Sequence, residues 1–216
     1  MTAKTTQRSY HQACSLARSL DLIGERWTFL ILRELFAGPR RFKDILGNLK
    51  GIGTNLLSDR LRALKNHGII EDIRLPAPAS IKAIALTEVG RQLEQPLVSL
   101  AKWGMNFSTP KKTNEHWSPA WNHIALKARF NPEKAQDLKG CIGFNISEYQ
   151  HFFRIADGKL ETGEGIPSTV DALLTATNEN FLNWIEARET LEDSLTRGKI
   201  KLEGNQKLFF KLLSAF

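Results

Sequence analysis

Cysteine is scarce in this 216-residue sequence: Cys14 and Cys141 stand 127 positions apart, with no Cys-x-x-Cys pair. That excludes a disulfide framework and a zinc ribbon. Long apolar runs are also missing, and nothing approaches the about 18 uninterrupted apolar residues of a membrane-spanning helix. Residues 1–20 carry Lys4, Arg8 and Arg18 but no continuous apolar stretch, so no secretory signal is expected and the sequence predicts a cytoplasmic protein. Catalytic signatures are absent too. There is no GxxxxGK[ST] loop, GxSxG elbow or HExxH helix, and Gly51-Ile52-Gly53 lacks the preceding strand and third glycine of a dinucleotide loop. His116 and His123 are seven apart and His11, His67 and His151 are scattered, a poor ligand set. The sequence therefore predicts no enzyme, no catalytic residues, no cofactor and no metal site.

What is present points to two modules. The apolar fraction of 42% and charged fraction of 25% are ordinary for a folded chain, and the length suits one or two domains. The net charge of +7 is unevenly placed: residues 1–110 carry all of it, and residues 111–216 balance to zero. A basic half joined to a neutral half suggests that the first meets a polyanion, either nucleic acid or an anionic membrane surface. A basic domain kept soluble by its charge is the plain alternative. The composition changes at Phe107–Ser118 (FSTPKKTNEHWS), which reads as a linker. The expected division is 1–106, a linker over 107–116, and 117–216, with an α+β architecture overall.

In the first half, Leu16, Leu20, Ile23, Trp27, Leu30, Ile31 and Leu35 recur at three and four, which predicts two helices broken near Gly24. Gly38-Pro39 ends the second, a short amphipathic stretch from Arg40 to Leu46 stops at Gly47-Asn48, and Thr54 is placed to cap a further helix through Asn66. On that helix Leu57, Leu61 and Leu64 share one face, while Asn55, Ser58, Asp59, Arg62 and Asn66 occupy the other. Two short helices joined by a glycine turn, the second with a polar outer face, suit a helix-turn-helix. A plain helical hairpin with solvated polar residues has the same pattern. Next come two β-compatible runs, Ile69–Leu75 and Ile81–Leu86, around Pro76–Ser80, a hairpin in the position of a wing. Arg74 and Lys82 flank it, placed for phosphate contact. A helix capped by Thr87 then carries Leu93, Leu97, Leu100 and Trp103 or Met105 on one face. That stripe suits either a dimer contact or packing within the chain.

These segments together resemble the HxlR-type winged-helix transcription regulators over residues 14–106. The resemblance runs through CSLA at 14–17, LDLIGERWT at 20–28, ILREL at 31–35, GPRRF at 38–42, LSDRL at 57–61, Gly68-Ile69 and LTEVG at 86–90. It implies a homodimer that binds a palindromic double-stranded DNA operator, with the helix at 54–66 in the major groove and the terminal helices forming the dimer. Carried onto this chain, the DNA contacts are Arg40, Arg41, Lys43, Thr54, Asn55, Ser58, Arg60 and Arg62, with Arg60 at the border of the inner face. The resemblance also makes Cys14 a candidate redox sensor, its thiolate favoured by Arg18 one turn on. An inert, packed cysteine is the alternative reading.

In the second half, Trp117, Trp121, Ile124, Ala125, Ala128 and Phe130 have helical spacing. Four β-compatible runs follow, at 141–146, 150–156, 159–162 and 168–175, with Asp157-Gly158 as a hairpin turn. Helical spacing returns from Phe181 to Leu195, and a strand at 199–203 turns at Gly204-Asn205 into an apolar terminal helix. This half resembles the sterol-carrier-protein-like lipid-binding fold, most clearly in RGKIKLEGN at 197–205. That resemblance implies a cleft between sheet and helices for an apolar effector, which Trp117, Trp121, Phe144, Phe152, Phe153, Phe181, Trp184, Phe209 and Phe210 would wall, although aromatics at such spacings also serve as plain core. The competing functional reading is a lipid or sterol carrier whose basic half contacts anionic membranes.

Overall fold

Glycine, threonine and proline positions set the element boundaries. The computed structural model describes residues 9–75, 81–107 and 115–216. The chain divides into two compact units, Met1–Gln95 and Pro96–Phe216. The expected hairpin tip at Pro76–Ser80 and most of the expected linker at 107–116 lie outside the described residues.

In the first unit, α1 (Ser15–Ile23) ends at Gly24 and α2 (Thr28–Phe36) begins after Trp27, which adopts a left-handed φ of 81°. Helix α3 (Phe42–Asn48) runs through Gly47 and Asn48, so the stop expected there comes at Leu49. Helix α4 (Thr54–Asn66) is capped by Gly53, which makes Thr54 its first residue and not its cap. Leu57, Leu61 and Leu64 face inward as their spacing requires, joining Ile31, Leu32, Ile45 and Ile70 in the core. Strands β1 (Ile70–Arg74) and β2 (Lys82–Leu86) pair antiparallel, Ile70 opposite Leu86 and Arg74 opposite Lys82. Arg40 adds a single bridge to Ile84.

The LTEVG segment has a physical reason for each polar or small residue. The Thr87 hydroxyl accepts from the Gly90 amide at 3.1 Å and donates to the Gly68 carbonyl at 2.6 Å. A Cβ on Gly90 would stand 2.0 Å from the Ile69 carbonyl oxygen, so only glycine fits. The single helix expected from Thr87 is two, α5 (Glu88–Arg91) and α6 (Glu94–Gly104). Pro96 explains the break: it lacks the amide that would bond the Gln92 carbonyl, and its ring excludes that carbonyl from a continuous helix. Helix α6 spans the division between the units and leaves Leu100 and Trp103 exposed, as is Phe107 after it.

The second unit is a five-stranded sheet in the order β5-β4-β3-β6-β7, antiparallel except for the β3·β6 pair. The strands are β3 (Gly140–Ile146), β4 (Tyr149–Ala156), β5 (Lys159–Glu164), β6 (Ala172–Ala176) and β7 (Ile200–Gly204). Asp157 and Gly158 both take positive φ, the tight hairpin turn their dipeptide predicts. Residues 168–171 are not strand: Ile166 and Val170 instead lie over Gly143. Helices α7 (Asn122–Arg129), α8 (Asn178–Ile185), α9 (Leu191–Thr196) and α10 (Gln206–Leu213) complete the unit. Thr177, Thr190 and Asn205 cap the last three through their side-chain oxygens. The architecture is α+β, as the sequence predicts.

Candidate nucleic-acid interface

Helix α4 presents its outer face to solvent because its three leucines occupy the inner one. Thr54, Asn55 and Arg62 are exposed and Ser58 is half-buried, its hydroxyl donating to the Thr54 carbonyl at 2.9 Å. Arg62 pairs with Asp59 at 2.9 Å on the open surface. Such an exposed i,i+3 pair is worth about 0–1 kcal/mol, so Arg62 exchanges readily to another anion. Lys43 is exposed on α3. Arg40 is held through its main chain to Ile84 at the edge of the wing.

Two of the residues expected at the interface are engaged elsewhere. Arg60 pairs with Glu25 at 2.8 Å, its side chain only 23% exposed. Its place at the border of the inner face turns it toward the α1–α2 connection. Arg41 forks onto Asp44, with nitrogen–oxygen distances of 2.7 and 3.0 Å. The hydrogen bond to Asp44 raises the Arg41 pKa, and the same bond lowers that of Asp44. Arg41 thus fastens the first turn of α3.

On the wing, Arg74 and Lys82 are exposed and directly opposite in the ladder. Like charges opposed in this way destabilise a hairpin, and a bound phosphate would offset the repulsion. Between α4 and the wing lies a groove of about 360 Å³ with Phe42, Leu61 and Ile84 in its floor and Ser58, Arg62 and Lys82 at its rim. Lys65 on α4 bonds Asp72 on β1 with both carboxylate oxygens, at 2.5 and 2.7 Å, tying the helix to the wing. Sequence reasoning missed that pair, because its partners belong to different elements. It also missed buried Glu34, whose carboxylate accepts from Asn48 at 2.9 Å and from Arg33 at 3.0 Å, joining α2 to α3.

Cys14 is exposed at the cap position of α1. The neighbouring amides of Ala17 and Leu16 draw its thiol pKa below the ordinary value. The cause is the open amide end of a helix, not the Arg18 charge expected from the sequence.

In the second unit the aromatics are packed against one another. Phe144, Phe153, Phe181 and Phe209 are buried in the core, with the Phe144 ring 5.7 Å from Phe153, 6.1 Å from Phe181 and 6.5 Å from Phe209. Trp117 and Trp184 flank Phe181 at 5.9 and 5.4 Å, and Trp121 lies edge-on to His116. Phe152 is on the opposite face of the sheet and Phe210 is exposed. A cavity of about 500 Å³ in this unit is lined by none of these rings. No group of three or more metal-ligating side chains occurs among the described residues, and none of the described helices is long and apolar enough to cross a membrane.

Residues 22–112 match the family described as HxlR-like helix-turn-helix. A transcriptional regulator of Synechocystis of the HTH type is 37% identical over 95 residues, covering 44% of this chain and 70% of that protein. The chain belongs to the HxlR-like helix-turn-helix family. YodB of Bacillus subtilis, an HTH-type transcriptional regulator, is 33% identical over 95 residues, covering 44% of this chain and 85% of YodB. A regulator of Mycobacterium tuberculosis is 44% identical over 93 residues, and the match spans 58% of that protein's length. The solved reduced form of YodB has 31% identity with a TM-score of 0.39, covering 47% of this chain and all of that one. The HxlR-like match does not account for the rest of the chain. Residues 125–216 match a second family, described as alkyl sulfatase C-terminal.

Proposed function

We propose that this HxlR-like protein is a homodimeric, sequence-specific transcription regulator that binds a palindromic double-stranded DNA site. The observation that carries the reading is the face shared by α4 and the wing, where Asn55, Ser58 and Arg62 stand clear of the core beside the opposed Arg74 and Lys82. Side chains of these types on one helix reach base edges in a major groove, while wing cations hold phosphates. The regulators among its relatives support the same reading. Two copies would associate through the exposed apolar residues of α1 and α6, Leu16, Leu20, Leu100 and Trp103 among them. The second unit is sterol-carrier-like in this reading and receives an apolar effector. Regulation follows only if the effector favours one DNA-binding state.

The deciding experiment is selection of bound fragments from genomic DNA by the full-length protein at about 0.15 M salt, where weak contacts are partly screened. Enrichment of one palindrome supports the regulator, whereas uniform recovery favours a general anion surface and the membrane-contacting carrier. On the selected site, Arg62→Ala is expected to lose about 10- to 100-fold in affinity while random DNA loses less. Lys82→Ala should weaken both DNAs alike and flatten the salt dependence. Equal losses for both variants on both DNAs would remove this division of roles.

Cys14 is the redox-sensing position in this proposal, its exposure and lowered pKa favouring the thiolate. Oxidant is expected to change DNA affinity in the native protein and to leave Cys14→Ser unaffected. An oxidant response that persists in Cys14→Ser would show that Cys14 is not the sensor.

A further inference from the structure

The face of the second unit's sheet turned away from its aromatic core carries a cavity of about 500 Å³, between the β3–β4 pair and the segment leading into β6. Its walls include Lys139, Cys141, Arg154, Ala156, Val170 and Asp171. Two of these are fixed before any ligand arrives. Asp171 donates its amide to the Cys141 carbonyl at 2.8 Å, accepts the Asn205 amide at its own carbonyl at 2.8 Å, and accepts the Cys141 amide on Oδ2 at 2.7 Å. The Gly204 backbone lies so close that a Cβ there would stand 2.4 Å from the Asp171 carbonyl oxygen. The Gly204-Asn205 pair in the RGKIKLEGN segment thus locks one wall.

Arg154 is the second fixed group. The Phe152 ring lies over Gly163, where a Cβ would be 2.6 Å from Cε1, and the guanidinium sits 5.4 Å from the centre of that ring. Glu161 accepts from it at 2.7 Å, with both side chains about half exposed. A guanidinium offers five N–H donors, so the Glu161 carboxylate and the Cys141 sulfur beside it leave capacity for a further oxyanion. Lys139 adds a second cation on the rim, with no ion pair among the described residues. Ala156 and Val170 supply an apolar wall.

We infer that this cavity binds a compact amphiphilic anion, its carboxylate or sulfate head on Arg154 and Lys139 and a short apolar body against Ala156 and Val170. This places the ligand on the opposite face of the sheet from the aromatic cluster, and its binding is independent of whether the first unit reads DNA. Asp171, with Oδ2 already engaged, sets the far wall and disfavours a dianion.

The test is titration of the full-length protein with octanoate, octyl sulfate and octylammonium below their micellar concentrations, in the absence of DNA, followed by amide chemical shifts. Saturable octanoate or octyl sulfate binding is expected, with the largest shifts at Cys141, Thr169 and Asp171. Lys139→Gln should weaken it about threefold or more and Lys139→Gln/Arg154→Gln about tenfold or more. Lys139 is exposed and outside the core, so the single variant keeps the test valid even if the double variant folds poorly. Octylammonium binding as tight as octanoate, shifts centred on Phe144 and Phe209, unchanged affinity in Lys139→Gln, or no saturable binding of either anion would each overturn the assignment. Loss of sequence-specific DNA binding would overturn the regulator reading and leave this one standing.

Discussion

Glu34→Ala is expected to lower the stability of the HxlR-like unit by about 3 kcal/mol, because it removes a fully buried carboxylate that pairs with Arg33 and accepts from Asn48. The Glu34 side chain is fully buried, whereas that of Arg33 retains 18% exposure and has a little freedom to relax outward. Burial pushes the Arg33 guanidinium below its ordinary pKa against the pull of Glu34, so the cation is already costly to hold there. The same carboxylate accepts from Asn48, and its loss also releases α3 from α2. With about 5–15 kcal/mol holding a typical domain together, the variant is expected to be marginal. Hydrogen exchange reads this directly. Amides of Leu57, Leu61 and Leu64 should exchange about 100-fold faster, while those of Ile142 and Phe153 in the other unit stay protected. Glu34→Gln keeps an acceptor for Asn48 and should lose less. A change under about threefold in Glu34→Ala would mean that the pair is solvated.

Which parts of this molecule were legible in the sequence follows from the range of the interactions that set them. Leu57, Leu61 and Leu64 announce the inner face of α4 because helical spacing is local, and Asp157-Gly158 announces its hairpin because positive φ is a property of those two residues. Thr87 is equally clear as a cap. The groups that arrange the interface are not local in this sense. Lys65 meets Asp72 across two elements, Arg60 meets Glu25 at a separation of 35, and Glu34 meets Asn48 at 14. No periodicity reports such partners: the helical wheel puts Arg60 at the border of the inner face without naming Glu25, and nothing in the spacing separates Arg41, bonded to Asp44, from Arg62, paired with Asp59. The aromatic positions show a similar limit. Their spacing declares burial, but whether a buried ring packs on another ring or lines a cavity depends on the tertiary fit of five strands and four helices. Ser168–Asp171 reads as strand because β-compatible residues also suit a segment folded over a glycine, here Gly143.

The second large effect concerns acid. His151 on β4 is 5% exposed, stacked on Phe144 at 4.8 Å, and neither ring nitrogen has a hydrogen-bond partner. Burial, and secondarily the neighbouring His123, push its pKa down from 6.5 to about 4. The folded state therefore prefers the neutral ring. Its contribution is fully present above pH 6.5 and is lost progressively as pH falls from there toward 4. The interval corresponds to about 3 kcal/mol in all, and about 2.5 kcal/mol of it is gone at pH 4.5. Carboxylates elsewhere titrate in the same range, so the discriminating quantity is the difference between the native protein and His151→Phe. Phenylalanine retains the ring stacked on Phe144 and removes two buried nitrogens, a change that is neutral or stabilising when nothing is left unpaired. Urea unfolding of the second unit, followed by tryptophan fluorescence at pH 7.5 and 4.5, should show His151→Phe losing about 2.5 kcal/mol less than the native protein over that interval. Parallel pH dependence in the two proteins would place the His151 ring in contact with water and remove it as the acid-sensitive group of this fold.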